Sequence, residues 1–253
     1  MSQPIVADPG RRHATRPPNL KDYGREALRS LFQVRGWPAY RADQLAGWLY
    51  ARRVDDLAEM TNLPAAMRQA LADEFVLHSL DVVEVMKSVD GTRKLLLQAF
   101  DGARVEAVVI PEERRNTLCV STQVGCPLTC DFCATGALGF TRNLTTAEIV
   151  DQVLHAMRGL SPDETLTNVV FMGMGEPLHN YDAVARALVL LTHPDGIDLS
   201  KRRVTVSTSG LVKQIDRLGK DFDGQVQLAI SLHAVGDEDR SKIMPVNRKH
   251  GLG

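Results

Sequence analysis

What this sequence has little of narrows its identity first. Four cysteines in 253 residues are too few to staple a secreted scaffold of this size. No apolar run approaches the roughly 18–20 residues that a bilayer-spanning helix needs, so no membrane partner is expected. The first nineteen residues are basic and proline-rich without an apolar centre, which excludes a secretory signal. Net charge is nearly absent: 30 Lys and Arg against 31 Asp and Glu leave −1, so no global field advertises a polyanionic partner. Internal repeats and low-complexity tracts are also missing, which argues against a solenoid or an extended linker protein. The expectation that remains is a soluble, cytoplasmic protein of one large or two modest domains. Its composition, 44% hydrophobic and 24% charged, is that of an ordinary globular chain.

The small net charge conceals an uneven distribution. Residues 1–54 carry ten Lys/Arg and four Asp/Glu, net +6, which leaves −7 for residues 55–253. A basic N-terminal part hints at a nucleic-acid partner, and a merely solvated charged surface explains it equally well.

Periodicity divides the chain into four stretches. Residues 1–19 show no pattern and read as a disordered leader. From Leu20 to about residue 78 the spacing is helical: Leu20, Tyr23, Ala27, Leu28, Leu31 and Phe32 share a face, then Leu45, Trp48 and Leu49, then Met67, Leu71 and Phe75. Within residues 79–116 the period becomes two over 82–88, 93–100 and 103–110. Asp90-Gly91 and Asp101-Gly102 lie between these runs, the signature of hairpins in a three-stranded antiparallel β meander. Beyond residue 117 strands alternate with helices: strands at 117–122, 167–172, 203–207 and 226–231, helices at 146–158, 181–192, 211–218 and near 237–243. Thr145-x-x-Glu148 has capping-box spacing. Such alternation predicts an α/β fold with a parallel sheet and right-handed crossovers.

The sharpest motif is Gly125-Cys126-Pro127-Leu128-Thr129-Cys130-Asp131-Phe132-Cys133. Three thiolates spaced C-x3-C-x2-C after a strand suit a [4Fe–4S] cluster held at three of its irons. The fourth iron could then be chelated by the amino and carboxylate groups of S-adenosylmethionine, with Phe132 packing over the adenine. The competing reading is structural zinc, which ordinarily takes four Cys or His ligands in paired hooks. No second hook follows, and the next histidine, His155, falls in a helix.

Other motifs are weaker alone. Phe171-Met172-Gly173-Met174-Gly175-Glu176-Pro177 is a strand running into a glycine turn with an acid, and Glu176 could accept bonds from an ammonium group. Ser207-Thr208-Ser209-Gly210 and Ser231-Leu232-His233-Ala234 end the next two strands, where ligands gather in parallel α/β sheets. A buried, satisfied structural histidine is the ordinary alternative for His233. Glu106 could simply face solvent on a meander strand, and Cys119 could be a small buried hydrophobe.

Taken in order, the segments VEAVVIPEERRNTLCVSTQVGCPLTCDFCATG, FMGMGEP, VTVSTSG, LAISLHA and IMPVNRK resemble the RlmN/Cfr-type radical SAM methyltransferases, and the RlmN branch most closely. The resemblance runs from Leu20 onward. It implies a helical RNA-binding module over 20–78, a β extension over 79–116, and a partial (βα)6 radical SAM barrel over 117–253. By matching position, Cys126, Cys130 and Cys133 would bind the [4Fe–4S] cluster. Gly175, Glu176, Ser207, Ser231, Leu232 and His233 would bind S-adenosylmethionine. Glu106 would accept a proton, and Cys119 would resolve the methylated intermediate by disulfide formation. The implied activity is methylation of carbon 2 of an adenosine in 23S rRNA, and in tRNA next to the anticodon, with an electron donor such as a flavodoxin system.

In that family a C-terminal cysteine carries the methyl group, and a further SAM-contacting asparagine follows. Cys133 is the last cysteine here. Residues 117–253 supply about four βα units at roughly 31 residues each. The expectation is therefore a form lacking the C-terminal part and unable to complete methyl transfer. Two rivals stay open: another radical SAM enzyme, and a non-catalytic Fe–S or zinc RNA-binding module.

Overall fold

A computed structural model describes residues 18–252, so the expected leader over 1–19 lies almost wholly outside the described residues. Its last residue departs from that expectation. Asn19 is buried, bridges Val76 as a short parallel pair, and caps the turn at Leu20–Asp22 by accepting from the Lys21 N–H at 2.8 Å.

Three helices follow, α1 (Arg25–Val34), α2 (Ala39–Ala46) and α3 (Ala65–Glu74). The helical spacing buries the residues it selected: Leu28 and Phe32 on α1, Leu45 on α2, Met67 and Leu71 on α3. Past α2 the chain widens into a π turn over Gly47–Ala51, which keeps Leu49 and Tyr50 facing the core.

The strands come next: β1 (Leu80–Lys87), β2 (Arg93–Ala99), β3 (Arg104–Glu112) and β4 (Arg115–Cys119). Gly91 and Gly102, both at φ +85°, make the two hairpin turns. A small pair, β5 (Gln123–Gly125) and β6 (Phe140–Asn143), brackets the cysteine loop and the single turn α4 (Ala134–Ala137). Neither strand of that pair was expected from the sequence; four or fewer residues are too short to show a period. Then come α5 (Thr146–Arg158), β7 (Asn168–Phe171), α6 (Tyr181–Thr192), β8 (Val204–Thr208), α7 (Val212–Asp221), β9 (Gln227–Ile230) and α8 (Asp237–Ile243).

The meander runs on into the βα strands. All strands but β5 and β6 form one seven-stranded sheet in the order β1-β2-β3-β4-β7-β8-β9. β4 joins the halves: it is antiparallel to β3 (Val108 opposite Cys119) and parallel to β7 (Leu118 opposite Val169). β7, β8 and β9 continue in parallel, which gives four βα units.

Side-chain alternation gives the sheet two different faces. Leu95, Leu97, Val105, Ala107, Val109, Leu118, Val169, Phe171, Val204 and Val206 are buried against the helices. The opposite face is only half covered. The register places Val108 opposite Cys119, Cys119 opposite Val170, and Val170 opposite Thr205 on it. Glu106, two residues from Val108, and Ser207, two from Thr205, share that face. At the open edge, β9 leaves Leu228 and Ile230 exposed.

Two charged clusters fix the helices to the sheet. The capping box of α5 forms as its sequence predicts, with Thr145 Oγ accepting from the Glu148 N–H and Glu148 accepting from the Thr145 N–H. Glu148, fully buried, also pairs through both oxygens with Arg142 at 2.9 Å, and Arg142 reaches Asp101 at the β2–β3 turn at 2.7 Å. The second cluster joins the helical module to α5. Lys21 Nζ pairs with Asp151 Oδ1, both side chains 1% exposed, and Asp151 Oδ2 accepts from the Ser79 N–H at 2.7 Å.

Removing one member of the Lys21–Asp151 pair leaves a charge buried without its partner. Lys21→Met or Asp151→Leu alone is expected to cost about 3–5 kcal/mol in urea denaturation, and the double variant to recover part of that loss. Single variants losing under about 1 kcal/mol would show that the pair is hydrated rather than buried.

Candidate active site

Loops after β4, β7, β8 and β9 all open at the same end of the parallel strands, the C-terminal end. The cysteine loop is shaped by its glycines and short backbone bonds. Gly125 sits at φ +74°, and a Cβ there would lie 1.8 Å from the Gly139 carbonyl oxygen, so only glycine fits. The Cys126 N–H then donates to that same carbonyl at 2.8 Å. Further along, the Cys130 N–H donates to Leu128 O at 2.7 Å and the Cys133 N–H to Cys130 O at 3.1 Å, which turns the backbone tightly between the three cysteines.

All four cysteines are free, with no disulfide between them. Burial pushes the Cys126 thiol up to about 11, against a backbone N–H from Leu128; the neighbouring Cys130 and Cys133 and the Glu176 charge add to the rise. Cys130 is pushed up by burial and then by Cys133 and Glu176, while Arg240 works against the rise. The three thiols therefore form one electrostatic group. Among the described residues no three His, Cys, Asp or Glu side chains close around a single metal ion. Three cysteines with no fourth Cys or His in the loop suit a cluster held at three of its irons, since structural zinc ordinarily takes four ligands.

The glycine–acid turn locks directly onto this loop. Gly175 is at φ +98°, and a Cβ there would meet the Gln123 side chain at 2.5 Å. That close approach lets Gln123 Oε1 accept from the Glu176 N–H at 2.8 Å, while Gln123 Nε2 donates to Asn143 at 2.8 Å. Glu176 is 4% exposed, and among the described residues no cation hydrogen-bonds its carboxylate. It accepts from the Leu178 N–H at 3.0 Å, the Ser209 N–H at 2.8 Å and the Ser209 hydroxyl at 2.9 Å. One carboxylate thus ties the end of β8 to the turn after β7.

The remaining expected residues lie around this centre. Ser207 is half-buried on the partly covered sheet face, but it is Ser209, not Ser207, that bonds Glu176. The Ser231 N–H extends the β8–β9 pairing by donating to Thr208 O at 2.9 Å. Leu232 is exposed. His233 is no buried core histidine: it is exposed, has φ +57°, an uncommon value for a residue with a side chain, and its ring lies 4.1 Å from that of Phe132. Phe132, within the cysteine loop, thus packs against His233 with the rings tilted by 40°.

Glu106 and Cys119 flank the site on the same face. Glu106 is not a free solvent-facing acid, since Lys94 Nζ pairs with its Oε1 at 2.9 Å. Ser121 connects it to the centre by donating to Glu106 O at 2.6 Å and accepting from the Met174 N–H at 2.9 Å. Cys119 is half-buried; burial raises its thiol, and the Met172 N–H pulls it partly back.

Sequence reasoning missed Gln123, Ser121, Ser209 and Lys94. Gln123, Ser121 and Ser209 lie inside quoted motifs, so proximity to the motif was the available signal. Lys94 had none, because only the β2–β3 register brings it to Glu106.

Gly125→Ala is expected to abolish most iron uptake on anaerobic reconstitution while leaving the far-ultraviolet circular dichroism in place; normal iron content would show that the loop tolerates a Cβ. Cys119 should react slowly with iodoacetamide at neutral pH, because a raised thiol leaves less thiolate. Its rate should climb roughly tenfold per pH unit in peptide-resolved mass spectrometry. A rate already flat at pH 7 would contradict the burial effect.

Comparison with known proteins agrees with this geometry. Residues 18–77 match the ribosomal RNA large subunit methyltransferase N-terminal domain, and residues 120–252 match the radical SAM superfamily. The chain is 49% identical to a dual-specificity RNA methyltransferase RlmN of Sorangium cellulosum, over 87% of this chain and 65% of the relative. To the protein of the same name in Geobacter sulfurreducens it is 48% identical, over 92% and 63%. A crystal structure of a radical SAM methyltransferase from Sphaerobacter thermophilus superposes with a TM-score of 0.88 at 44% identity, covering 94% of this chain and 70% of that one. The chain spans about 65% of the length of the first two relatives. With half its length matching the superfamily and these identities across both parts, the chain belongs to the RlmN family of radical SAM methyltransferases.

Proposed function

We propose that this chain carries the cofactor-binding half of an RNA adenine-C2 methyltransferase acting on 23S rRNA and on tRNA next to the anticodon. The observation that carries the reading is Gln123. It stands three residues before Cys126 and accepts from the Glu176 N–H, so the thiol loop and the buried carboxylate are built as one unit.

Cys126, Cys130 and Cys133 would hold a [4Fe–4S] cluster, and Gly175, Glu176, Ser207 and Ser231–His233 would hold S-adenosylmethionine. When bound and reduced, that pair supplies one-electron cleavage of the sulfonium. The chain's own residues do the rest. Glu176 presents buried negative charge suited to an ammonium group, pre-oriented by the Leu178 and Ser209 donors. Glu106 would take a proton from the substrate carbon onto a carboxylate oxygen, its orientation set by Lys94. Cys119 would supply the resolving thiol. Sharing one sheet face makes these last two roles compatible with a single substrate.

RNA is supported by the helical module. Arg52 lies 3.9 Å over the Trp48 ring and Arg41 4.9 Å over exposed Tyr40, the aromatic–guanidinium pairs on which unstacked bases can rest. An electron donor of flavodoxin type and a cytoplasmic setting complete the reading. No helix among the described residues is long and apolar enough to cross a membrane.

The test is anaerobic reconstitution, reduction, and assay of 5′-deoxyadenosine from S-adenosylmethionine with and without rRNA or tRNA. Iron-dependent deoxyadenosine is expected. One bound zinc without cluster absorption would sink the reading. Glu176→Gln should weaken S-adenosylmethionine binding by about 10–100-fold in equilibrium dialysis, the worth of a charged hydrogen bond; unchanged binding would remove Glu176 from the ligand set.

A further inference from the structure

Arg240 has no part in the constellation above, yet it is among the most deeply buried side chains, 1% exposed on α8. Its guanidinium has five N–H donors, and every one meets a neutral oxygen. Nε donates to Leu232 O at 3.0 Å, and Nη2 to Ser209 O at 2.6 Å and Ser231 O at 3.0 Å. Nη1 donates to the Asn247 amide oxygen and to His250 O at 3.4 Å. Among the described residues, no carboxylate is a direct partner of it. Burying a cation without an ion pair is costly, and folds retain one only where something anionic answers it.

The acids nearby do not answer it directly. Glu176 is held on the far side of Ser209, and exposed Asp237 stands behind Asn247, whose Nδ2 donates to it at 2.8 Å. The helix that carries the charge is strapped to the cysteine loop: the Asp131 N–H, next to Cys130, donates to Ile243 O at 3.0 Å. The field of Arg240 reaches Cys130 among the thiols and Asp237 among the acids. With all its donors committed, Arg240 cannot also donate to an incoming ligand. It acts through its charge alone.

We propose that Arg240 is a fixed counter-charge at the Cys130 end of the thiol loop, built into the fold ahead of the anionic cluster that Cys126, Cys130 and Cys133 would hold. The inference rests on the cluster reading of those cysteines. A fixed positive charge favours the reduced cluster, which carries one more negative charge, and so raises the reduction potential.

The test is a potentiometric titration of the reconstituted full chain, followed by electron paramagnetic resonance and iron content, for the unsubstituted protein, Arg240→Lys, Arg240→Gln and the double variant Asn247→Asp with Asp237→Asn. Lys keeps the charge and should keep the potential near that of the parent. Gln removes the charge, and the double variant moves a carboxylate against it while keeping a donor–acceptor pair between 237 and 247. Both should shift the potential to more negative values and lower the iron content per chain. If Arg240→Gln fails to fold, the double variant decides, since it leaves Arg240 and its carbonyl bonds in place. Equal potentials in all variants, with only a lower melting temperature, would make Arg240 a structural brace and overturn the proposal. No cluster in the unsubstituted chain would overturn both this and the reading it rests on; a normal cluster with an unmoved potential overturns this one alone.

Discussion

β4 is five residues long, and the molecule is organised around its two edges. Along one it pairs antiparallel with β3, along the other parallel with β7. Without the first ladder, the hairpins would be an isolated meander of marginal stability. Without the second, the βα units would lose the strand from which the cysteine loop departs. Because pairing fixes which residues share a face, β4 also brings Glu106 from the antiparallel half onto the face that holds Cys119 and Ser207 from the parallel half. Elements distant in sequence become one surface through backbone hydrogen bonds.

At the end of that sheet the site is assembled from neutral hydrogen bonds around a few buried charges. Glu176 gathers the β7 turn and the β8 end, Gln123 fastens that turn to the thiol loop, and Arg240 draws the β8 and β9 ends toward α8. Charges buried among committed dipoles are expensive in the empty fold, and a loaded cofactor site would use them. Preorganisation of this kind holds the geometry before any ligand arrives.

Much of the architecture was legible in the residues. The helices at 146–158 and 181–192 fall where their spacing put them, since each has a strong apolar stripe and the first has the Thr145–Glu148 cap; the one at 237–243 has neither, only three acids in its first turn. The Asp-Gly turns named both hairpins. What escaped was short or non-local. β5 and β6 are too brief for a period, and Asn19 reads as part of a featureless leader until Val76 and Ser79 come to meet it. Likewise, nothing local showed that the meander and the βα strands share one sheet, because the second partner of β4 lies about fifty residues further on.

By itself, the sequence determined the chemistry available: three thiols at fixed spacing, an acid after a glycine turn, serines at strand ends, and a basic helical start. Those are local properties, set by residue type and a few positions of separation. Tertiary structure alone decided that Ser209 rather than Ser207 holds Glu176, that Lys94 meets Glu106, that His233 is exposed against Phe132, and that Arg240 is buried among neutral oxygens. Each depends on register and on how loops meet across the end of the sheet, where a shift of one residue reverses every side chain, and no linear pattern encodes that shift.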